Sequence, residues 1–142
     1  MRRILLAAAI GAALGAGGLS LAHQSGPGHE TATVLSERDI VETLDGKKAR
    51  VTTVEVDFEP GIAGAPHRHP GAIFGYVLEG EFEFALDDQP VKTLKAGETF
   101  YEPSGALHRV SRNPSSKTKT RVLAVIVHPQ DAKQIRIPVE NK

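Results

Sequence analysis

From Thr33 onward the chain alternates apolar and polar residues in short runs separated by turn residues, the period-two signature of half-buried β-strands. Residues 49–58 (ARVTTVEVDF) put Val54, Val56 and Phe58 on one face and Thr53, Glu55 and Asp57 on the other. Residues 81–86 (EFEFAL) repeat the pattern, with Phe82, Phe84 and Leu86 inward; Glu81 and Glu83 then form a solvated face with no chemical role. Residues 91–94, 99–102 and 107–111 read as further short strands, and 121–128 (RVLAVIVH) as a nearly continuous apolar strand buried on both sides. The tail, residues 134–139, reads as an edge strand, because Pro138 cannot serve a central one. Asp45-Gly46, Pro60-Gly61, Pro70-Gly71, Leu78-Glu79-Gly80, Asp87-Asp88, Ala96-Gly97 and Pro103-Ser104-Gly105 supply the turns. No amphipathic helix pattern of useful length is present. Roughly nine to eleven strands at hairpin spacing predict an all-β sandwich or jelly-roll barrel.

The first residues do not share this pattern. Met1-Arg2-Arg3 is a short basic region, residues 4–19 are an apolar run rich in Ala and Gly, and Ser20-Leu21-Ala22 offers small residues where a signal peptidase reads. Residues 1–22 are therefore expected to be a signal peptide, 23–31 a flexible lead and 32–142 the folded domain, with a periplasmic or secreted destination. An uncleaved anchor is the weaker alternative. The Arg2-Arg3 pair leaves both the general and the twin-arginine export routes open. His23 and His29 lie in the lead; no motif places a partner for either, so both are read as a solvated tail.

The whole chain carries 17 basic and 17 acidic residues, and loss of residues 1–22 removes two arginines and no acid. The mature balance is slightly acidic, which argues against nucleic acid or an anionic membrane surface as partner. The absence of cysteine excludes disulfides, thiolate nucleophiles and iron–sulfur ligation.

Chemistry is concentrated in two stretches. In residues 61–80 (GIAGAPHRHPGAIFGYVLEG), His67 and His69 share one face of an extended chain while Arg68 points away. In residues 97–113 (GETFYEPSGALHRVSRN), His108 follows a Pro/Gly turn. Three neutral imidazoles make an open nitrogen site for a divalent transition metal. The two stretches resemble the paired motifs of the cupin superfamily, G-x5-H-x-H-x3,4-E-x6-G and G-x5-P-x-G-x2-H-x3-N, through Gly61, His67, His69 and Gly80, then Gly97, Pro103, Gly105 and His108. Two positions depart from the pattern: Ile73 stands where the family carries a glutamate ligand, and Asn113 sits one residue late.

The resemblance implies a cupin-type jelly-roll barrel (double-stranded β-helix) with His67, His69 and His108 around one metal: Fe, Cu, Mn, Ni or Zn. It also implies a homodimer joined through edge strands. Without the first-motif acid, the ion keeps its full double charge and favours anionic chelators. Tyr101 and Glu102 are the weak catalytic candidates; strand parity sends one of them inward, as a hydrogen-bond partner to a ligand or as a substitute carboxylate. Tyr76 and Arg50 are either cavity-lining or ordinary strand residues, Arg68 and Arg109 are surface residues, and His128 ends its strand before Pro129 as a non-ligand. The expected function is a small-molecule dioxygenase or related metalloenzyme, with a metal-dependent isomerase or decarboxylase beside it. The alternative is a non-catalytic module that binds a small ligand or metal.

Overall fold

The structure is a computed structural model that describes residues 30–139; the expected signal peptide and most of the lead lie outside them. The described residues form ten strands: β1 Thr31–Leu44, β2 Lys47–Phe58, β3 His67–Arg68, β4 Ala72–Glu79, β5 Glu81–Leu86, β6 Lys92–Lys95, β7 Thr99–Glu102, β8 His108–Arg112, β9 Thr120–Pro129 and β10 Ile137–Pro138. They build two antiparallel sheets, ordered β1-β2-β9-β4-β7 and β10-β3-β8-β5-β6. This is the expected jelly-roll architecture. Among the described residues no helix is long and apolar enough to cross a membrane.

The inward faces follow the alternation in the sequence. Phe58, Val77, Phe82, Phe84, Leu86 and Val122 form one buried cluster and Val54, Ile73, Ala124 and Ile126 a second, with Val56 and Phe100 packed against both. The apolar strand β9 departs from expectation. Its even positions are buried, but Leu123, Val125 and Val127 are only half-buried, so it is not covered on both sides. Its outer face lies in an outermost layer, where Leu123 and Val125 line a shallow depression with Phe74, Tyr76 and Tyr101. A continuous apolar run predicts two-sided burial only if a second layer follows, and here an apolar surface replaces it.

A β-bulge accounts for the displaced asparagine. Leu86 pairs with His108 and Ala85 with Val110, leaving Arg109 as an extra residue on β8. The bulge reverses parity after His108, so that Ser111 and Asn113 face inward with it. Asn113, fully buried, then donates through Nδ2 to the carbonyls of Phe58 (3.2 Å), Glu59 (3.1 Å) and Thr118 (2.8 Å) and accepts from Ser115 N (2.9 Å). It ties the β2–β3 connection to the β8–β9 loop beneath the core.

Gly75 on β4 pairs with Phe100 of β7, and the ring lies over it: an added Cβ would come within 2.0 Å of Phe100. Gly75→Ala is therefore expected to destabilise the domain by about 1–3 kcal/mol through overpacking. Urea unfolding of the variant beside the wild-type chain checks this.

Candidate metal centre

The three histidines of the motifs meet inside the fold. His67 on β3 and His108 on β8 are directly paired across sheet two, and His69 lies two residues beyond His67, where extended geometry returns its side chain to the same face. One ring nitrogen from each lies within 4.8 Å of the others. His67 Nδ1 donates to Ala65 O (2.8 Å) and His69 Nδ1 to Ile135 O (2.5 Å). Each carbonyl can only accept, which fixes the tautomer and leaves both Nε2 atoms as lone-pair donors. Those two atoms are 3.0 Å apart, the spacing taken by two nitrogens each ~2.1 Å from one ion at a right angle. Both ring nitrogens of His108 lack a hydrogen-bond partner. Buried, unsatisfied acceptors facing a common point are the donor set a transition metal requires.

Sheet one supplies the opposite wall. Ile73 on β4 faces Glu102 on β7 and Ile126 on β9 in register, and all three are buried. The Ile73 side chain, at the motif position of the family's glutamate, lines the same cavity as the histidines, and Glu102 lines it too. Glu102 Oε1 is 3.2 Å from His108 Nδ1 without the alignment of a hydrogen bond, and Oε2 is 4.0 Å from His69 Nε2 and has no partner. Of the two weak catalytic candidates, parity has selected Glu102, 3 % exposed. Tyr101, 52 % exposed, is the member of the pair on the outer face, where its ring packs 5.3 Å from Phe74.

The remaining polar candidates fall away from the site. Tyr76 belongs to the outer face, and Arg50 pairs with Asp39 at 2.7 Å. Arg68 donates to Gly105 O (2.6 Å) and Arg109 to the carbonyls of Asp87 and Gln89 (2.7 and 2.8 Å), so both brace surface loops. Glu83 pairs with Arg112 on the surface. His128 is buried but satisfied, between Thr52 Oγ1 (2.9 Å) and Pro129 O (2.9 Å). Arg136 and Glu30 were not singled out by sequence, yet they form an ion pair at the cavity wall. Arg136 also donates to Ala65 O (3.0 Å), the carbonyl that holds His67. No motif marks them; only the fold brings the two ends of the domain together.

Electrostatics follow from burial. Desolvation pushes His67 and His108 down to about 3, against the hydrogen bond that His67 donates to the Ala65 carbonyl, and with the neighbouring histidines adding to the fall at His108. Desolvation also lowers His69, partly opposed by its bond to Ile135. The Glu102 carboxyl is raised by desolvation to about 8. The imidazoles are thus neutral at physiological pH, the protonation state that ligates a metal.

Comparison with known proteins points the same way. The family described as Cupin domain matches residues 54–126. Germin-like protein subfamily 2 member 2 of Arabidopsis thaliana is 38 % identical over 71 residues, covering 46 % of this chain and 32 % of that protein. Oxalate oxidase 1 of Hordeum vulgare is 31 % identical over 84 residues, covering 54 % and 42 %. The chain thus spans less than half the length of these curated relatives. A solved oxalate oxidase superposes with a TM-score of 0.61 at 26 % identity, over 81 % of this chain and 57 % of that one. An uncharacterized double-stranded beta-helix protein from Klebsiella pneumoniae shares the fold at a TM-score of 0.61 and 23 % identity, over 82 % and 90 %.

Stability of metal-stripped protein should peak near pH 6.5. As pH falls from 6.5 toward about 3, the unfolded chain binds protons that buried His67 and His108 refuse, so stability is lost. Below pH 6.5 the Glu102 proton works in the opposite sense, but one group is outweighed by two. Between pH 6.5 and about 8 only Glu102 still counts: the folded chain keeps a proton that the unfolded chain, with a carboxyl near 4.5, has released, so stability falls as pH rises. Melting temperatures in chelator between pH 4 and 9 check this; E102Q should abolish the alkaline decline and spare the acid one.

Proposed function

Because the chain belongs to the Cupin domain family, we propose that it is an exported metalloenzyme in which His67, His69 and His108 hold one divalent transition metal and a small chelating acid or enolate is oxidised by dioxygen. The observation that carries this is the pair of tautomer-locked Nε2 atoms 3.0 Å apart, with His108 unpartnered beside them. Imidazole donors suit Fe, Cu, Ni or Zn, and the oxidative version calls for a redox-active ion, Fe, Cu or Mn. The ion, when bound, supplies Lewis acidity and the redox capacity that no side chain of this cysteine-free protein provides.

The chain's own contribution is shape and dryness. The cavity has a volume of about 110 Å³ and is walled by Val54, Phe58, Ile73, Phe82 and Ile126 among other apolar side chains. Pockets for drug-sized ligands run from about 300 to 1,000 Å³, so the space suits a molecule of few heavy atoms. A largely apolar wall strengthens any interaction between charged groups inside it. Likeness to proteins named oxalate oxidase supports oxidation of a small acid. Export is supported by the basic, apolar and small-residue order of residues 1–22.

H67A, H69A and H108A should each lose metal in elemental analysis after reconstitution and gel filtration, whereas H128A should keep it while melting at lower temperature. Wild-type protein loaded anaerobically with Fe(II), Mn(II) or Cu(II) should consume oxygen with at least one of a panel of small carboxylates, diketones, flavonols and thiols. Stoichiometric binding without uptake under any loading would make the chain a binding module instead.

A further inference from the structure

Resting on the three-histidine metal reading above, we propose that Glu102 is the fourth protein donor of the centre, so that the acid of the first motif has been moved one strand sideways and not lost. The register carries this. Ile73 occupies the motif position for the acid, and its direct cross-strand partner is Glu102. Side chains opposite each other in an antiparallel pair project from the same face with Cβ atoms about 4.5–5.5 Å apart. A carboxylate on β7 therefore enters the cavity within one side-chain width of a carboxylate on β4, from the same wall and at the same depth.

The second observation is the state of the carboxyl group. Glu102 is buried, its Oε2 has no partner, and no lysine or arginine pairs with it among the described residues. Its Oε1 and Oε2 face His108 and His69, 3.2 and 4.0 Å away. The surrounding wall is hydrocarbon from Val54, Ile73, Ala124 and Ile126. Burial of a carboxyl with an idle oxygen among apolar groups is unfavourable, and a cation between it and the imidazoles removes that penalty. A strut for His108 alone would need Oε1 in line with Nδ1, and this alignment is missing.

The consequence is a change of donor chemistry. Three imidazoles and one carboxylate leave a divalent ion with a single net positive charge, and the hard oxygen shifts preference toward Mn and Fe and away from a purely nitrogen-ligated Cu centre. The expectation of an all-nitrogen centre with a full double charge is thereby replaced.

The test uses Co(II) as a spectroscopic probe and Mn(II) by titration, on the full mature chain. E102Q should fold as wild type and weaken Co(II) binding by ~100-fold or more, at or beyond the upper end for loss of an orienting neighbour, with a changed visible spectrum. The exchange I73E/E102I should restore affinity and spectrum, because the carboxylate returns to the same cavity from the neighbouring strand. Should the exchange fail to fold, E102A decides: added formate should recover the wild-type spectrum. Binding by E102Q at wild-type strength with an unchanged spectrum overturns the proposal while leaving the three-histidine centre standing. Weakened binding that neither the exchange nor formate repairs also overturns it, since Glu102 then acts only through His108. Absence of Co(II) and Mn(II) binding by the wild-type chain removes both this and the metal reading beneath it.

Discussion

The whole site depends on two direct cross-strand pairs that face each other across the interior: His67 with His108 in one sheet, Ile73 with Glu102 in the other. Strand period and sheet register are rigid constraints, because a slip of one residue turns every side chain to the opposite face. Register therefore delivers His67, His108 and Glu102 to one point among apolar side chains, while His69, just past the end of β3, is held there by the Ile135 carbonyl. The hydrophobic clusters are what fix the register, through Phe82, Phe84 and Leu86 on β5 and Val122, Ala124 and Ile126 on β9. Packing energy is spent on placement, and the polar groups accept an unfavourable environment as the result.

Much of this was legible in the residues because a β-strand writes its burial in a period of two. The positions of β2 and of β5 to β9, the inward set on β5 and the convergence of three histidines follow from alternation and motif spacing, whereas β1 and β4 were not placed by it. Three things did not follow. The apolar run of β9 could not reveal that one of its faces lies outermost, since hydrophobicity records what a face tolerates and not what covers it. Parity restricted the inward member of Tyr101 and Glu102 to one of two, but the choice needed the register with β4. Arg136, Glu30 and Ile135 act on the site from the two ends of the described domain, and contacts between residues about a hundred positions apart leave no local pattern.

The departures from the motif spacing also make physical sense once the strands are seen. The late Asn113 is the downstream cost of a bulge at Arg109, which keeps both His108 and Ser111 inward while Arg109 stays outside to brace the Asp87 loop. The outer face of Phe74, Tyr76 and Tyr101 shows the complementary economy: β4 and β7 alternate between residues that serve the cavity and residues that form an apolar surface, so a single strand carries two unrelated jobs in adjacent positions.

His69 is oriented by a carbonyl of the C-terminal segment, Ile135 O, next to the arginine that reaches Glu30 and Ala65. Attachment of the tail and alignment of that imidazole are consequently one equilibrium and not two. By linkage, whatever draws His69 into place also favours the seating of Ile135 and Arg136 against the domain, and by the same free energy. The segment that leads into β10 is thus a positioning element for the site as well as the approach to a strand.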